Sequence, residues 1–471
     1  MKKSPAGNLS ANALQLVLNQ TLGFGIFYLL STGLSKNNFG QINLVLAIVL
    51  AVFNILSLGI DQLIVKKIAS GNDVQKTLSL YIFHVLAAGL LFYGILLTGK
   101  IFFTKPAVIY NLLLLIGTGK LMIFFSTPFK QAASGLERFR LLAYMSVVSN
   151  IVRCAGLLAF ALFHIMTMQT IVLIFIAGDV IELLVCIILF KHGTKTRLLA
   201  KWDKVSYLNL VRESLPQSGV VVITSALARF DWIFIGFTLS AAKLAEYSFA
   251  YKIFEIATLP LLAIAPLLIP HFTKLFKQDS TQSHNLEFII RIEIIIAALV
   301  ALLLNICWSP VIDLLTAGKY GAVNVKTIFI LSLCMPLLYV NNFLWTIYFA
   351  QGQLKMILRS FIITLFVNVA GDVILIPLYK NEGAAVAFLL ACGAQTVFYL
   401  RKNKIEALSN IWQSLLICMG CALCCGFAVK AFLPDNFMAL PLAVVFYFAL
   451  LIATARLKLN DCKQLQILLN W

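Results

Sequence analysis

Among the ionisable residues inside the otherwise apolar stretches of this chain, nine stand out as candidates for chemistry. Lys120, Arg153, Arg229 and Lys252 are the cations; Asp179, Glu182, Asp231, Glu255 and Asp372 are the acids. In SALARFDWIFIGF, residues 225–237, Arg229 and Asp231 fall near the middle of such a stretch. A charge at the centre of a bilayer costs about 2.5–3.5 kcal/mol on insertion scales. Side chains of this kind must face one another, a water-filled cavity or a ligand. Spacing narrows the choice. Residues two apart on a helix point about 200° from each other, so Arg229 and Asp231 each need a partner from another segment. Lys252 and Glu255 are three apart and can pair on one face. Asp179 and Glu182 also share a face, but both are acids, which attracts a proton or a cation. A guanidinium fork binds two oxygens of a phosphate, so Arg229 is a candidate for holding phosphate or an acidic sugar.

The elements that position these residues follow from composition. The chain has 471 residues, 61% hydrophobic and 12% charged. Soluble domains carry about 25% charged residues, so no soluble surface can be made from this sequence. Fourteen apolar segments are legible, at 9–34, 39–63, 77–98, 107–129, 141–163, 168–190, 213–238, 244–272, 288–310, 327–350, 356–378, 383–400, 409–432 and 437–456. A bilayer crossing takes about 20 apolar residues in a helix, whereas a barrel strand alternates over about ten. The prediction is an all-α polytopic membrane protein with about 14 transmembrane helices. The run 9–34 follows Lys2 and Lys3 but is too long for a signal-peptide core, and reads as the first span.

The net charge of +18 is read by location. With the N-terminus cytoplasmic, 25 of the 37 Lys and Arg fall on the inside and eight on the outside. The bias holds in both halves of the chain, 14 against three and 11 against five. A miscounted span in the first half would reverse the second, so the agreement supports the count and places both termini in the cytoplasm. The charge is then a topology signal and calls for no nucleic-acid partner.

Other chemistry finds little support. Ten cysteines lie mostly in apolar segments; the group Cys418, Cys421, Cys424 and Cys425 reads as small residues on a helix, with no histidine nearby to complete a metal site. The five histidines are scattered, and no G-x-x-x-x-G-K-[ST] pattern occurs, so the chain carries no ATP motor. A membrane-embedded polysaccharide polymerase or glycosyltransferase would need a large loop bearing acids or histidines. The longest inside loop, 191–212, is short and basic. A channel would need a continuous aqueous path.

Two segments look alike: FGQINLVLAIVLAVFNILSLGIDQLIVKKIA from Phe39 and AEYSFAYKIFEIATLPLLAIAPLLIPHFTKLF from Ala245. A second echo pairs GLERFRLLAYMSVVSNIV from Gly135 with GQLKMILRSFIITLFVNVA from Gly352. They suggest two pseudo-repeated six-helix lobes, 1–190 and 213–400, joined by a cytoplasmic basic linker at 191–212. Residues 401–471 would add two transmembrane helices and a cytoplasmic tail. Six spans per lobe keep both in the same orientation, with a pseudo-two-fold axis along the membrane normal. Pro260, Pro266 and Pro270 crowd span eight and Pro336 sits in span ten, where interior proline kinks a helix.

The first of those stretches, together with RFDWIFIGFTLSAAKLAEYSFAYKIFE (229–255) and NEGAAVAFLLA (381–391), resembles the polysaccharide-biosynthesis branch of the multidrug/oligosaccharidyl-lipid/polysaccharide exporter superfamily. These are the O-antigen-type lipid-linked oligosaccharide flippases, and the resemblance covers the whole length. It implies two lobes around a central cavity that opens alternately to either side, with a cationic lining for a polyprenyl-diphosphate oligosaccharide. Arg229, Arg153, Lys120 and Lys252 are the residues here that would supply that lining. Asp231, Asp179, Glu182, Glu255 and Asp372 would line the cavity or couple transport to H⁺ or Na⁺. For Asp179 and Glu182 a helix-packing role, neutralised by Lys120 or Arg153, stands beside coupling. The implied setting is the bacterial inner membrane, among lipids and polysaccharide-assembly proteins. A cation-coupled drug or metabolite exporter of the same superfamily is the alternative; that branch often carries a carboxylate in its first helix, and 9–34 has none.

Overall fold

The computed structural model describes residues 5–102, 107–194, 202–259, 283–403, 408–432 and 438–457, with single positions between them. Most of span eight beyond 259, including Pro260, Pro266 and Pro270, and the tail from 458 lie outside the described residues.

The described chain is helical. Its helices are α1 (Pro5–Gly33), α2 (Lys36–Leu56), α3 (Ile60–Ala69), α4 (Val74–Phe102), α5 (Ala107–Gly135), α6 (Phe139–Leu162), α7 (Met168–Thr194), α8 (Lys204–Thr238) and α9 (Ala241–Ala257). They continue as α10 (Ser283–Thr316), α11 (Val325–Ala350), α12 (Leu354–Lys402), α13 (Ile411–Phe432) and α14 (Ala439–Ala453). Ten are long and apolar enough to cross a membrane, among the described residues. Large apolar side chains stand on their outer faces, among them Leu91, Leu162, Phe366 and Leu416, each at least 65% exposed. In water that surface would aggregate; against acyl chains it costs nothing.

Two apolar segments differ from their expected form. Segment 39–63 is not one helix. It breaks after Leu56, where Leu58 and Gly59 take left-handed backbone (φ 51 and 68°) and the Ser57 hydroxyl bonds the Asn54 carbonyl and Asp61. A Cβ on Gly59 would fall 2.6 Å from Gln217, so glycine is required there twice over. In contrast, Leu354–Lys402 runs as 49 residues but turns at Lys380 (φ 55, ψ −129°) into two rods. A Cβ on Gly371 would sit 2.8 Å from Ala387, and one on Gly383 would sit 2.2 Å from the Leu375 carbonyl oxygen. The small residues of NEGAAVAFLLA thus let the second rod fold back on the first.

The helix α8 starts at Lys204, inside the stretch read as linker. Asp203 caps it, accepting from the amides of Val205 and Ser206 at 3.1 and 3.3 Å. The same carboxylate meets Lys76 at 3.0 Å, and Lys67 meets Glu213 at 2.8 Å, tying α8 to α4 and α3.

The chain divides into two compact units, Met1–Ala245 and Glu246–Trp471. In the first, α8 packs along α2, and α5, α6 and α7 pack on one another. Gly40 lies so close to the Ala241 carbonyl that no side chain fits between them, and Gly236 admits Leu44. In the second, α10 packs against α11, α13 and α14, and α11 against α12. Phe249 stacks on Tyr320 at 4.3 Å, and Trp308 donates its indole N–H to the Gly321 carbonyl at 2.8 Å.

Candidate functional site

The charged cluster of the first unit is built on one stripe of α7. Phe175, Asp179, Glu182, Cys186 and Phe190 recur at helical spacing and are all buried. The stripe is therefore a core face into which the sequence has placed two carboxylates. Asp179 is fully enclosed and Glu182 is 2% exposed. From α5, Lys120 brings its Nζ to 3.3 Å from Asp179 Oδ2. From α6, Arg153 pairs through Nη2 with Asp179 Oδ1. Lys130, one turn before the end of α5, pairs with Glu182.

Two glycines make room for this arrangement. A Cβ on Gly119 of α5 would lie 2.6 Å from Asp179 Oδ2. A Cβ on Gly178 of α7 would lie 3.1 Å from Arg153 Cγ and 3.2 Å from the Ser149 carbonyl oxygen. The carboxylate rests on one bare helix backbone and the arginine stem crosses the other. Phe175, one turn before Asp179, presents its ring to both cations, with Arg153 Cζ 5.0 Å and Lys120 Nζ 5.7 Å from the centroid.

Lys120, Lys130 and Arg153 face Asp179 and Glu182, three cations against two carboxylates. Asp179 serves two of the cations. In a low-dielectric interior an unmatched positive charge is a strong attractor for an anion.

The remaining predicted site residues lie elsewhere. On α8, the Arg229 guanidinium lies over the Trp232 ring at 4.8 Å. Asp231 is buried on the same helix and accepts the Trp232 backbone N–H at 2.8 Å. Lys252 and Glu255 pair along α9 at 2.8 Å, as their spacing allows, and stay half-buried. In the second unit Asp372 is fully enclosed in the first rod of α12 and accepts from Asn368 Nδ2 at 3.2 Å. Lys120, Arg153, Asp179 and Glu182 are thus brought together within the first unit, while Asp372 belongs to the second.

Two functional candidates escaped the sequence reading. Lys130 falls just past the apolar segment 107–129, yet α5 continues past Pro128 to Gly135 and keeps Lys130 half-buried. Glu293 stands two residues from Arg291 near the start of segment 288–310, yet it is only 4% exposed. Its signal was its place among isoleucines, IIRIEIII.

Residues 6–276 match the family model described as polysaccharide biosynthesis protein, more than half of the chain. The chain belongs to that family. The matched span carries the whole α5–α7 cluster and Arg229. Among curated proteins none matches. Among solved structures, a lipid II flippase MurJ in an inward closed conformation is similar with a TM-score of 0.74 and 14% identity, covering 94% of this chain and 98% of that one. An inward-facing multidrug resistance transporter of the MATE family aligns with a TM-score of 0.63 and 12% identity, over 86% and 98%. A transporter of the same superfamily from Pyrococcus furiosus, described as having a binding pocket of reversed polarity, aligns with a TM-score of 0.56 and 13% identity, over 85% and 94%. At such identities these likenesses establish the fold. This member of the polysaccharide biosynthesis family is a multi-pass membrane protein with a transporter fold, not that of an enzyme.

Proposed function

We propose that the protein is an alternating-access flippase that carries a polyprenyl-diphosphate-linked oligosaccharide across the bacterial cytoplasmic membrane for cell-surface polysaccharide assembly. The observation that carries this reading is the sharing of one buried carboxylate, Asp179, by Lys120 and Arg153 within a polysaccharide-family chain. It leaves positive charge inside the first unit, and a diphosphate is the part of the substrate that hydrocarbon rejects most strongly. Arg229, held against Trp232, is the second cationic element of the proposed path.

The fourteen-span plan supports the same reading. The two rods of α12 supply spans 11 and 12, and α1, α9 and α14 supply those beyond the ten long apolar helices. Six spans to each pseudo-repeated lobe, two extra helices and cytoplasmic termini complete the proposed topology. Pairing of Asp179 and Glu182 with cations favours a packing role for them over ion coupling. Partners would be the lipid-linked substrate, surrounding lipids and proteins of polysaccharide assembly.

Purified protein in vesicles, offered a labelled polyprenyl-diphosphate oligosaccharide on one face, should deliver the label to the other. Vesicles that leave the lipid in place but export a cationic drug down an ion gradient would overturn the flippase reading.

A further inference from the structure

In the first unit Asp179 and Glu182 are met by cations; among the described residues none meets Glu293 in the second. Its side chain is 4% exposed, in α10, and neither carboxyl oxygen has a hydrogen-bond partner. No cation reaches it among the described residues. The flanking residues are apolar: Ile290 and Ile294 are buried at 1% and 0% exposure in the core shared with α13 and α14. An ionised carboxylate left unpaired in such surroundings costs several kcal/mol. A neutral carboxylic acid costs far less, because only one dipole has to be buried.

The titratable groups on the packed helices are few. From α11 comes Tyr339, which is fully buried, lies within electrostatic reach of Glu293, and has a hydroxyl equally without a partner. From α13 comes Cys418, which lies near Arg291 and Arg456. From α14 comes Tyr447, whose hydroxyl donates to the Ile295 carbonyl at 3.1 Å. Arg291, two residues before Glu293, points away by helical geometry, with its guanidinium near the Phe288 ring at 5.7 Å.

We propose that Glu293 is a proton-binding site: it holds a proton in this conformation, within electrostatic reach of Tyr339, and releases it when the second unit changes conformation. Both side chains are buried, and among the described residues neither has a hydrogen-bond partner. They acquire a use when a movement of α10 against α11 admits water or brings a cation. Protonation then favours the conformation described here. This state gains as pH falls, because it binds one proton more than the alternative, and loses as pH rises. Only the consequence for transport rests on the flippase reading; the protonation does not.

The test is infrared difference spectroscopy of the full chain in lipid vesicles, which needs no transport. At neutral pH the wild type should show a carbonyl band of a protonated carboxyl that shifts in D₂O and is missing from Glu293→Gln. Tyr339→Phe removes one hydroxyl from the neighbour and should move the frequency of that band. The thermal midpoint of the wild type should fall between about pH 6 and about pH 9, and Glu293→Gln should lessen that fall. A band unchanged in Glu293→Gln, or no such band at neutral pH, would overturn the proposal. If Glu293→Gln does not fold, a band that ignores Tyr339→Phe does the same. A flippase assay that fails while the band behaves as stated would count against the function alone.

Discussion

Lys120 of α5 and Asp179 of α7 stand 3.3 Å apart, Nζ to Oδ2, and the same carboxylate also receives Arg153 of α6. One acid therefore ties three helices together. Each of the three ions is at least 90% shielded, so the triad is held by the attraction of both cations to one carboxylate rather than by water, and one positive charge is left over.

Replacing Asp179 by Asn should strand two buried cations. Breaking a buried pair by removing one partner costs about 3–5 kcal/mol, so the melting point in detergent should fall sharply. Arg153→Met alone should also destabilise, but the double variant Asp179→Asn with Arg153→Met should fall short of the sum of the two. Strict additivity in that cycle would show that the two side chains do not interact.

Gly119→Ala would drive a methyl to 2.6 Å from the Asp179 carboxylate. Overpacking of this kind costs about 1–3 kcal/mol. Gly94→Ala on α4 meets nothing within 4 Å and should be neutral or stabilise by up to about 1 kcal/mol through helix propensity. The contrast between two identical substitutions is read from paired thermal melts.

Arg229→Ala should leave the protein in the membrane and bring oligosaccharide flipping down to background. Arg229→Lys keeps the charge but loses the planar fork, and should retain partial activity. Export at the wild-type rate by the alanine variant would remove Arg229 from the substrate path.

At the start of α8, hydrogen bonds from Ser206 and Lys76 hold the Asp203 carboxyl well below the usual carboxylate range. A depressed group adds stability above its unfolded value, about pH 4, and loses it as pH falls through the folded value. Asp203→Asn should therefore speed amide exchange at Val205 and Ser206 at neutral pH, and the difference from wild type should close in strong acid. A gap that persists there would assign the effect to cap geometry instead of charge.

Much of this was legible in one dimension. Hydropathy placed α4, α6, α7, α11 and α13 within a few residues of their observed helices, because a bilayer-length apolar run has one dominant solution. The spacing of Lys252 and Glu255 foretold their pairing, since an i,i+3 contact is decided within one helix. The stretches FGQINLV and NEGAAVAFLLA pointed to the family, and their glycines prove to be places where backbones meet.

What escaped was decided between helices. Lys130 falls one residue past the apolar segment 107–129, and only the packing of α5 on α7 shows that the helix continues to a partner on Glu182. Glu293 carries no local sign of its burial, because its enclosure depends on the packing of α10 against α11, α13 and α14.

By itself, then, the amino-acid order determined that this chain is helical, that it lives in a membrane, and which family it joins, because each of these follows from local hydropathy and pattern. Only the tertiary structure decided which charge neutralises which. Lys120 and Arg153 lie 33 positions apart and converge on Asp179, a further 26 along, because α5, α6 and α7 pack with two glycines at the crossing. That choice depends on side-chain reach across helix contacts, to which periodicity along any single helix is blind.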